Sequence, residues 1–222
     1  MNNRLSGQSK VIAIVAGGVI HNGQRKAIRA SDVVIGVDRG ALWLVRRGIP
    51  PDIAIGDFDS VTVVEKKRIH DISRVYIEYL PHKDVTDLEL AIEEAIRLRA
   101  KEVRIFGALG RRFDHAMAAT QLLGRLESHN IYGIIVDNFN KIHIVRRQLT
   151  LPKTHDLRYV SVIPLHTQAT VSLSGFAYDV SRRTFHSGST LGISNEIVAR
   201  FATITVHSGK VLIIQSNDVP VR

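Results

Sequence analysis

The stretch "DVTDLELAIEEAIRLRAKEVRIFGA", Asp84–Ala108, contains a helix and the strand that follows it. Leu88, Ala91, Ile92, Ala95 and Leu98 recur at helical spacing, and Thr86 with Glu89 three residues on has the form of a capping box. "EVRIFGA" (102–108) is then a short apolar run that ends on glycine, as a strand does. A helix that delivers the chain into a buried strand is the repeating unit of a parallel α/β sheet.

The alternation continues in both directions. "KVIAIVAGG" (10–18) is a β-branched run closing on Gly17 and Gly18, as a buried strand feeding a phosphate-facing turn would. "VVIGVD" (33–38) ends on Asp38, and "RGALWLVRRG" (39–48) is a short helix closed by Gly48. "IPPD" (49–52) breaks the chain before the strand "IAIG" (53–56), and "VTVVEKKRIH" (61–70) is a second helix. Downstream come the helix "DHAMAATQLLGRLES" (114–128) and the strand "IYGIIVDN" (131–138). The pattern predicts an α/β domain with a largely parallel sheet over residues 1–150. Ligands in such sheets bind beyond the carboxyl ends of strands, where Asp38, Asp57, Asp59, the "GALG" turn (107–110) and Asp137 fall.

After "LTLP" (149–152) the periodicity changes. "RYVSVIPL" (158–165), "ATVSLSGFAYDV" (169–180), "ARFATITV" (199–206) and "KVLIIQS" (210–216) are β-rich, with turns such as Ser208-Gly209 between them. Residues 151–222 are therefore expected to form an antiparallel β-sandwich small enough to lean on a neighbour.

Composition narrows the class of function. The chain has 222 residues, 45% of them hydrophobic, and no cysteine, which excludes disulfides, thiolate nucleophiles and cysteine metal sites and points to a reducing, cytoplasmic setting. The polar start "MNNRLSGQSK" has no secretory apolar core, and no run reaches the ~18 apolar residues of a membrane span. Thirty Lys+Arg against 21 Asp+Glu give a charge of +9. The basic residues are scattered in pairs such as Arg46-Arg47, Arg146-Arg147 and Arg182-Arg183, without a basic tail or an aromatic-interleaved strand. That pattern fits a solvated surface, or attraction of a polyanionic small molecule, rather than nucleic acid.

Four clusters carry chemistry. In "GDFDS" (56–60), Asp57 and Asp59 sit two apart; on an extended chain they share a face and can converge on one divalent cation, with Phe58 turned to the core. A capped turn explains the same residues. In "KDVTD" (83–87), Asp84 and Asp87 flank a helix N-terminus, where helix capping alone accounts for one carboxylate more easily than two, and Lys83 can touch a phosphate. In "FGALGRRFDH" (106–115), Gly107 and Gly110 permit a tight turn whose amides approach an anion. There Arg112 offers bidentate contact to phosphate, and Asp114 and His115 begin the next helix. "HSGSTLGISNEI" (186–197) is a long hairpin connection, whose small polar residues, Ser194 and Asn195 included, can hydrogen-bond a compact polar ring.

Taken in order, "VAGG" (15–18), "VDRGA" (37–41), "PDIAIGDFDS" (51–60), "KDVTDLELAI" (83–92), "FGALGRRFDH" (106–115) and "SNE" (194–196) resemble the thiamine pyrophosphokinase family over nearly the whole chain. The resemblance implies a Rossmann-like domain followed by a β-sandwich, and transfer of the pyrophosphoryl group of ATP to the hydroxyl of thiamine, releasing AMP. It implies a homodimer with thiamine between one subunit's α/β domain and the partner's sandwich. It implies Mg²⁺ on Asp57, Asp59 and Asp87, with Asp84, Thr86, Arg112 and Asp114 in the substrate shell and Ser194 and Asn195 on the thiamine side. Gly17, Gly18, Asp38, Gly40, Lys83, Gly107 and Gly110 fall to the nucleotide, and Asp84 and Asp114 are candidates for general base. In the family the "FGALGRRFDH" turn carries a glycine where this chain has Arg111.

Two other readings compete. Asp57–Val61 fits the D-x-D-x-[TV] motif of haloacid dehalogenase-type phosphatases, although the chain lacks the Asp-Asp step such enzymes use late in the sequence. A non-catalytic nucleotide- or RNA-binding module is the second, opposed by the clustered carboxylates. A P-loop kinase is excluded, since no Walker A sequence occurs.

Overall fold

The computed structural model describes residues 10–80, 84–110 and 112–218, which divide into two compact units between residues 137 and 138. Lys83 and Arg111, singled out above, lie outside the described residues.

The first unit is a six-stranded sheet. In chain order its strands are β1 (Lys10–Val15), β2 (Val33–Val37), β3 (Ile53–Gly56), β4 (Val75–Glu78), β5 (Ala100–Phe106) and β6 (Tyr132–Val136). Their spatial order is β6-β5-β1-β2-β3-β4, and every pairing is parallel. The helices are α1 (Arg25–Arg29), α2 (Arg39–Arg46), α3 (Val63–Ile72), α4 (Asp87–Arg97) and α5 (Phe113–Ser128). Ile12–Val15 are all fully buried, as are the four residues of β3, so both faces of the central strands are covered and the runs read as uniformly apolar. Gly36 of β2 is there for packing: a Cβ on it would meet Ala41 Cα of α2 at 2.6 Å.

The chain lays down β1 to β4 in one direction, then returns to place β5 on the other side of β1. The switch point between β1 and β5 is where such sheets open a crevice at their carboxyl ends. α1 and β4 were not anticipated; both are short, and Val75 and Glu78 of β4 are exposed on this edge strand.

The capping box lies elsewhere than expected. At α3, Thr62 Oγ1 accepts from Glu65 N (3.3 Å) and Glu65 Oε2 accepts from Thr62 N (3.0 Å). At α4, Thr86 Oγ1 accepts from Glu89 N (3.3 Å), but the Glu89 carboxylate goes to Arg125 of α5 instead (3.1 Å), and Arg125 also pairs with Glu93. An ionic tie between two helices has replaced the reciprocal half of a cap.

The second unit begins before the expected boundary at 150. β7 (Asn140–Val145) and β8 (Gln148–Pro152) belong to it, followed by β9 (Tyr159–Pro164), β10 (Gln168–Ser174), β11 (Val180–His186), β12 (Asn195–Glu196), β13 (Phe201–Ser208) and β14 (Val211–Ser216). β12-β9-β14-β7 and β11-β10-β13-β8 are antiparallel. Residues of both sets share one core that includes Val160, Val162, Val171, Ile204 and Ile213, which makes the unit a sandwich. Gly175 (φ +87) follows β10 within the β-rich segment 169–180 and separates it from β11. Among the described residues no helix is long and apolar enough to cross a membrane.

Candidate active site

A cleft of about 1140 Å³ opens in the first unit at the carboxyl ends of its strands. Its lining comes from the segments after β1, β2, β3 and β5 and from the starts of α4 and α5.

Three carboxylates meet there: Asp38, Asp57 and Asp87 each place an oxygen within 4.8 Å of the others. Each position has a local cause. Asp38 follows β2 and caps α2 with a backbone (φ 44, ψ −116) that L-residues rarely adopt. The chain holds it there through Asp38 N–H donating to Ile55 O (3.1 Å) and Ala41 N–H donating to Asp38 O (3.0 Å). Its side chain accepts from Phe58 N (3.0 Å), and room for it is made by Gly56, on which a Cβ would stand 2.0 Å from Asp38 Oδ1. Asp57 leaves the end of β3, and Asp87 is the first residue of α4, near the positive end of that helix.

Such crowding is costly without a cation. Burial, then a hydrogen bond and like charge from Asp87, push the Asp38 carboxyl up to about 7, with Asp57 adding to the effect and the Phe58 N–H opposing it. A hard divalent cation takes one to several carboxylates and keeps waters for phosphate to displace, and this donor set fits one.

Asp59, expected to share the ion, is not in this group. Phe58 between the two aspartates adopts φ 54, so the alternation of an extended strand fails at the step that would have aligned them. Asp57 Oδ1 instead accepts from Asp59 N (3.2 Å), a turn closed by a side chain, and Asp59 is exposed. Asp57 thus closes a turn with its side chain, as the capped-turn reading has it, and the carboxylate that approaches it is that of Asp38. Asp38 was read above as a nucleotide contact only, because it lies far from Asp57 in the chain.

The glycines at the switch point serve packing first. Gly18 N–H donates to Gly107 O (2.9 Å), and a Cβ on Gly18 would stand 2.4 Å from that oxygen. A Cβ on Gly40 would meet Val15 O at 1.9 Å, and Gly107 has φ +68. Gly17, Gly18, Gly107 and Gly110 all line the cleft, but among the described residues outside its chain neighbours Gly110 has no atom closer to its Cβ position than 3.9 Å. Gly40, the second residue of α2, is buried and is not among the residues lining the cleft.

Arg112, at the N-cap of α5, is held by Asp114 through a two-point ion pair (2.6 and 3.2 Å). The Arg112 partner, followed by the His115 N–H, holds the Asp114 carboxyl down at about 2. That makes Asp114 a poor general base and a good orienter of the arginine. Asp84 is exposed and is not among the lining residues, so neither candidate base is supported by its surroundings. Thr86 lines the cleft as the α4 cap. Arg39, Ser60 and the apolar wall of Val85, Leu88 and Leu122 were not singled out from the sequence. Arg39 stood within "VDRGA", where the neighbouring aspartate and glycine drew the reading; the leucines read as core.

In the second unit, Asn195 is buried and its amide is engaged: Oδ1 accepts from Tyr178 N (3.1 Å) and Glu196 N (2.9 Å), and Nδ2 donates to Tyr178 O (2.9 Å). It locks the 176–179 turn rather than presenting an amide outward. Ser194 is exposed, with φ 59, and its N–H donates to Ser161 Oγ (3.1 Å).

Comparison with known proteins extends over both units. The family profile "Thiamin pyrophosphokinase, catalytic domain" matches residues 24–135, and "Thiamin pyrophosphokinase, vitamin B1 binding domain" matches residues 146–211. The thiamine pyrophosphokinase of Bacillus subtilis is 36% identical over 186 residues, covering 83% of this chain and 87% of that protein. The crystal structure of the B. subtilis thiamine pyrophosphokinase superposes with a TM-score of 0.88 at 33% identity, over 95% of this chain and 100% of that one. A thiamin pyrophosphokinase structure from Geobacillus thermodenitrificans gives 0.83 at 31% identity, over 96% and 100%.

Proposed function

From the membership of this chain in the thiamin pyrophosphokinase family of ATP-dependent pyrophosphoryl transferases, we propose that its first unit holds Mg²⁺ on Asp38, Asp57 and Asp87 and binds the phosphates of ATP beside it. The observation that carries this reading is the mutual approach of the three carboxylates, within 4.8 Å, in the cleft lined also by Gly17, Gly18 and Arg112. When bound, the cation would supply positive charge against the phosphate oxygens of the nucleotide.

The side chains then have distinct tasks. Asp38, Asp57 and Asp87 hold the cation, and Gly56 and the Phe58 amide keep Asp38 aimed at it. Arg112, oriented by Asp114, clamps a phosphoryl oxygen through its planar guanidinium. The apolar wall of Val85, Leu88 and Leu122 excludes water from one side of the cleft. The thiamine hydroxyl attacks the β-phosphorus and gives up its proton to solvent, the bond from that phosphorus to the oxygen shared with the α-phosphate breaks, and AMP leaves with that oxygen. Positioning and charge neutralisation carry this step, and no side chain is assigned as general base.

The protein acts in the cytoplasm as a homodimer in this reading. The lack of cysteine supports a reducing compartment. Tyr178, Leu191, Val198 and Phe201, all more than half exposed in the second unit, support a partner there. The test is incubation with Mg–ATP and thiamine: AMP and thiamine diphosphate should appear together, only when all components are present. Phosphate release from monoesters without ATP would favour the phosphatase reading instead. Sedimentation analysis tests the dimer, and a monomer at working concentration refutes it.

A further inference from the structure

We propose that Tyr76 is a positioning residue for the cation site, acting through Phe58. The inference rests on the reading of Asp38, Asp57 and Asp87 as the cation-holding set. Phe58 joins those aspartates: it follows Asp57 directly and its N–H donates to Asp38 Oδ1 (3.0 Å). It does so at φ 54, a conformation that a bulky residue holds only when its surroundings over-determine it.

The ring supplies the determination. It is 2% exposed and packs in one cluster with Ala41, Leu42, Val45 and Ile69. The ring of Tyr76 stacks on it, with centroids 4.8 Å apart and planes at 18°. Tyr76 is itself held on edge strand β4. Its hydroxyl donates to Glu78 Oε2 (3.0 Å), Lys66 of α3 donates to Glu78 Oε1 (2.6 Å), and the His70 ring meets it edge-on at 5.0 Å. None of Tyr76, Glu78, Lys66 and His70 lines the cleft. Without the Tyr76 ring, Phe58 keeps its core neighbours but loses the stacked partner, and the turn carrying the Asp57 carboxylate and the Phe58 amide is less firmly held.

The experiment is a calorimetric Mg²⁺ titration of the full chain, together with amide hydrogen exchange of residues 57–59 in the metal-free protein. Tyr76→Leu should weaken Mg²⁺ binding about ten- to a hundredfold, as loss of an outer support does in metal sites, and should speed exchange at Phe58 while circular dichroism shows a folded protein. Tyr76→Phe keeps the ring and should restore both. If Tyr76→Leu does not fold, Tyr76→Met, which fills the volume without a ring face, takes its place. Asp38→Asn is the control for the site itself. If Asp38→Asn abolishes Mg²⁺ binding and the Tyr76 variants bind as wild type, Tyr76 has no positioning role. If Asp38→Asn also binds as wild type, the cation-site reading fails and this proposal with it.

Discussion

Replacing Asp38 by asparagine should make the metal-free protein more stable while removing its affinity for Mg²⁺. Burial and the neighbouring Asp87 push the Asp38 carboxyl from 3.8 up to about 7. At about 1.4 kcal/mol per pH unit, ionising it in the folded, cation-free state costs about 4 kcal/mol, and solvent reaching this part-buried group reduces that to roughly 2–4 kcal/mol. The sign follows from linkage. A raised folded-state value means that the protonated form favours folding, so the contribution is full below 3.8, falls as pH climbs towards 7, and is gone above it. Asparagine keeps an oxygen to accept the Phe58 N–H and carries no charge. In urea unfolding with EDTA at pH 8, Asp38→Asn should therefore exceed wild type by about 2 kcal/mol or more.

The same proton links pH to metal binding, because a cation must displace it. At pH 7 the wild type should release about half a proton per Mg²⁺ and at pH 6 about 0.9, read as the difference in binding heat between buffers of unlike ionisation enthalpy. Apparent affinity should rise close to tenfold per unit below 7 and level off above it. Equal heats in both buffers, with affinity flat between pH 5.5 and 7, would refute the placement of Asp38 in the site. So would an Asp38→Asn protein less stable than wild type in EDTA at pH 8.

The remaining expectations test other parts of the argument. Asp57→Asn should weaken Mg²⁺ binding far more than Asp59→Asn, since Asp57 belongs to the carboxylate cluster and Asp59 is exposed outside it; the reverse order, by calorimetry, restores the pairing read from the sequence. Gly18→Ala, whose Cβ would stand 2.4 Å from the Gly107 carbonyl, should lose about 1–3 kcal/mol, whereas Gly110→Ala, with its nearest atom at 3.9 Å, should unfold like wild type. Equal thermal shifts for the two would contradict the packing role given to the turn. In the second unit, burial holds the His143 imidazole down at about 4 against 6.5, so that unit should lose about 3 kcal/mol as pH falls from 6.5 to 4. His143→Gln should flatten that dependence, and an unchanged acid transition counts against it.

How much of this could be read from the sequence depends on the range over which each feature is determined. The helix–strand unit at 84–108 was legible because its spacing, its Thr86 cap and its terminal glycine are all local. The same holds for the alternating β10 and β13, where Ala169, Val171 and Leu173 and then Ala202, Ile204 and Val206 face the core. β7 was missed for an equally local reason: "NKIHIV" buries His143, a residue that reads as surface, so the alternation was hidden and the second unit seemed to begin later. Glu89 shows the first kind of non-local failure, since a distant arginine outbids a capping contact three residues away. The carboxylate cluster shows the second. Two aspartates in "GDFDS" look like a pair because a strand would align them, yet the residue between them, Phe58, is left-handed, and Asp59 is not in the cluster that Asp57 joins. The carboxylate that joins Asp57 comes from the end of a neighbouring strand, brought alongside by parallel β2–β3 pairing that sets Val37 against Ile55. Asp38 and Asp57 are each the first or second residue beyond that register pair, so the adjacency follows from sheet order and not from spacing along the chain. Strand order was the missing information, and a parallel sheet gathers a charged site by that means: each strand end contributes one group, and the sequence shows the groups without showing which strands are neighbours.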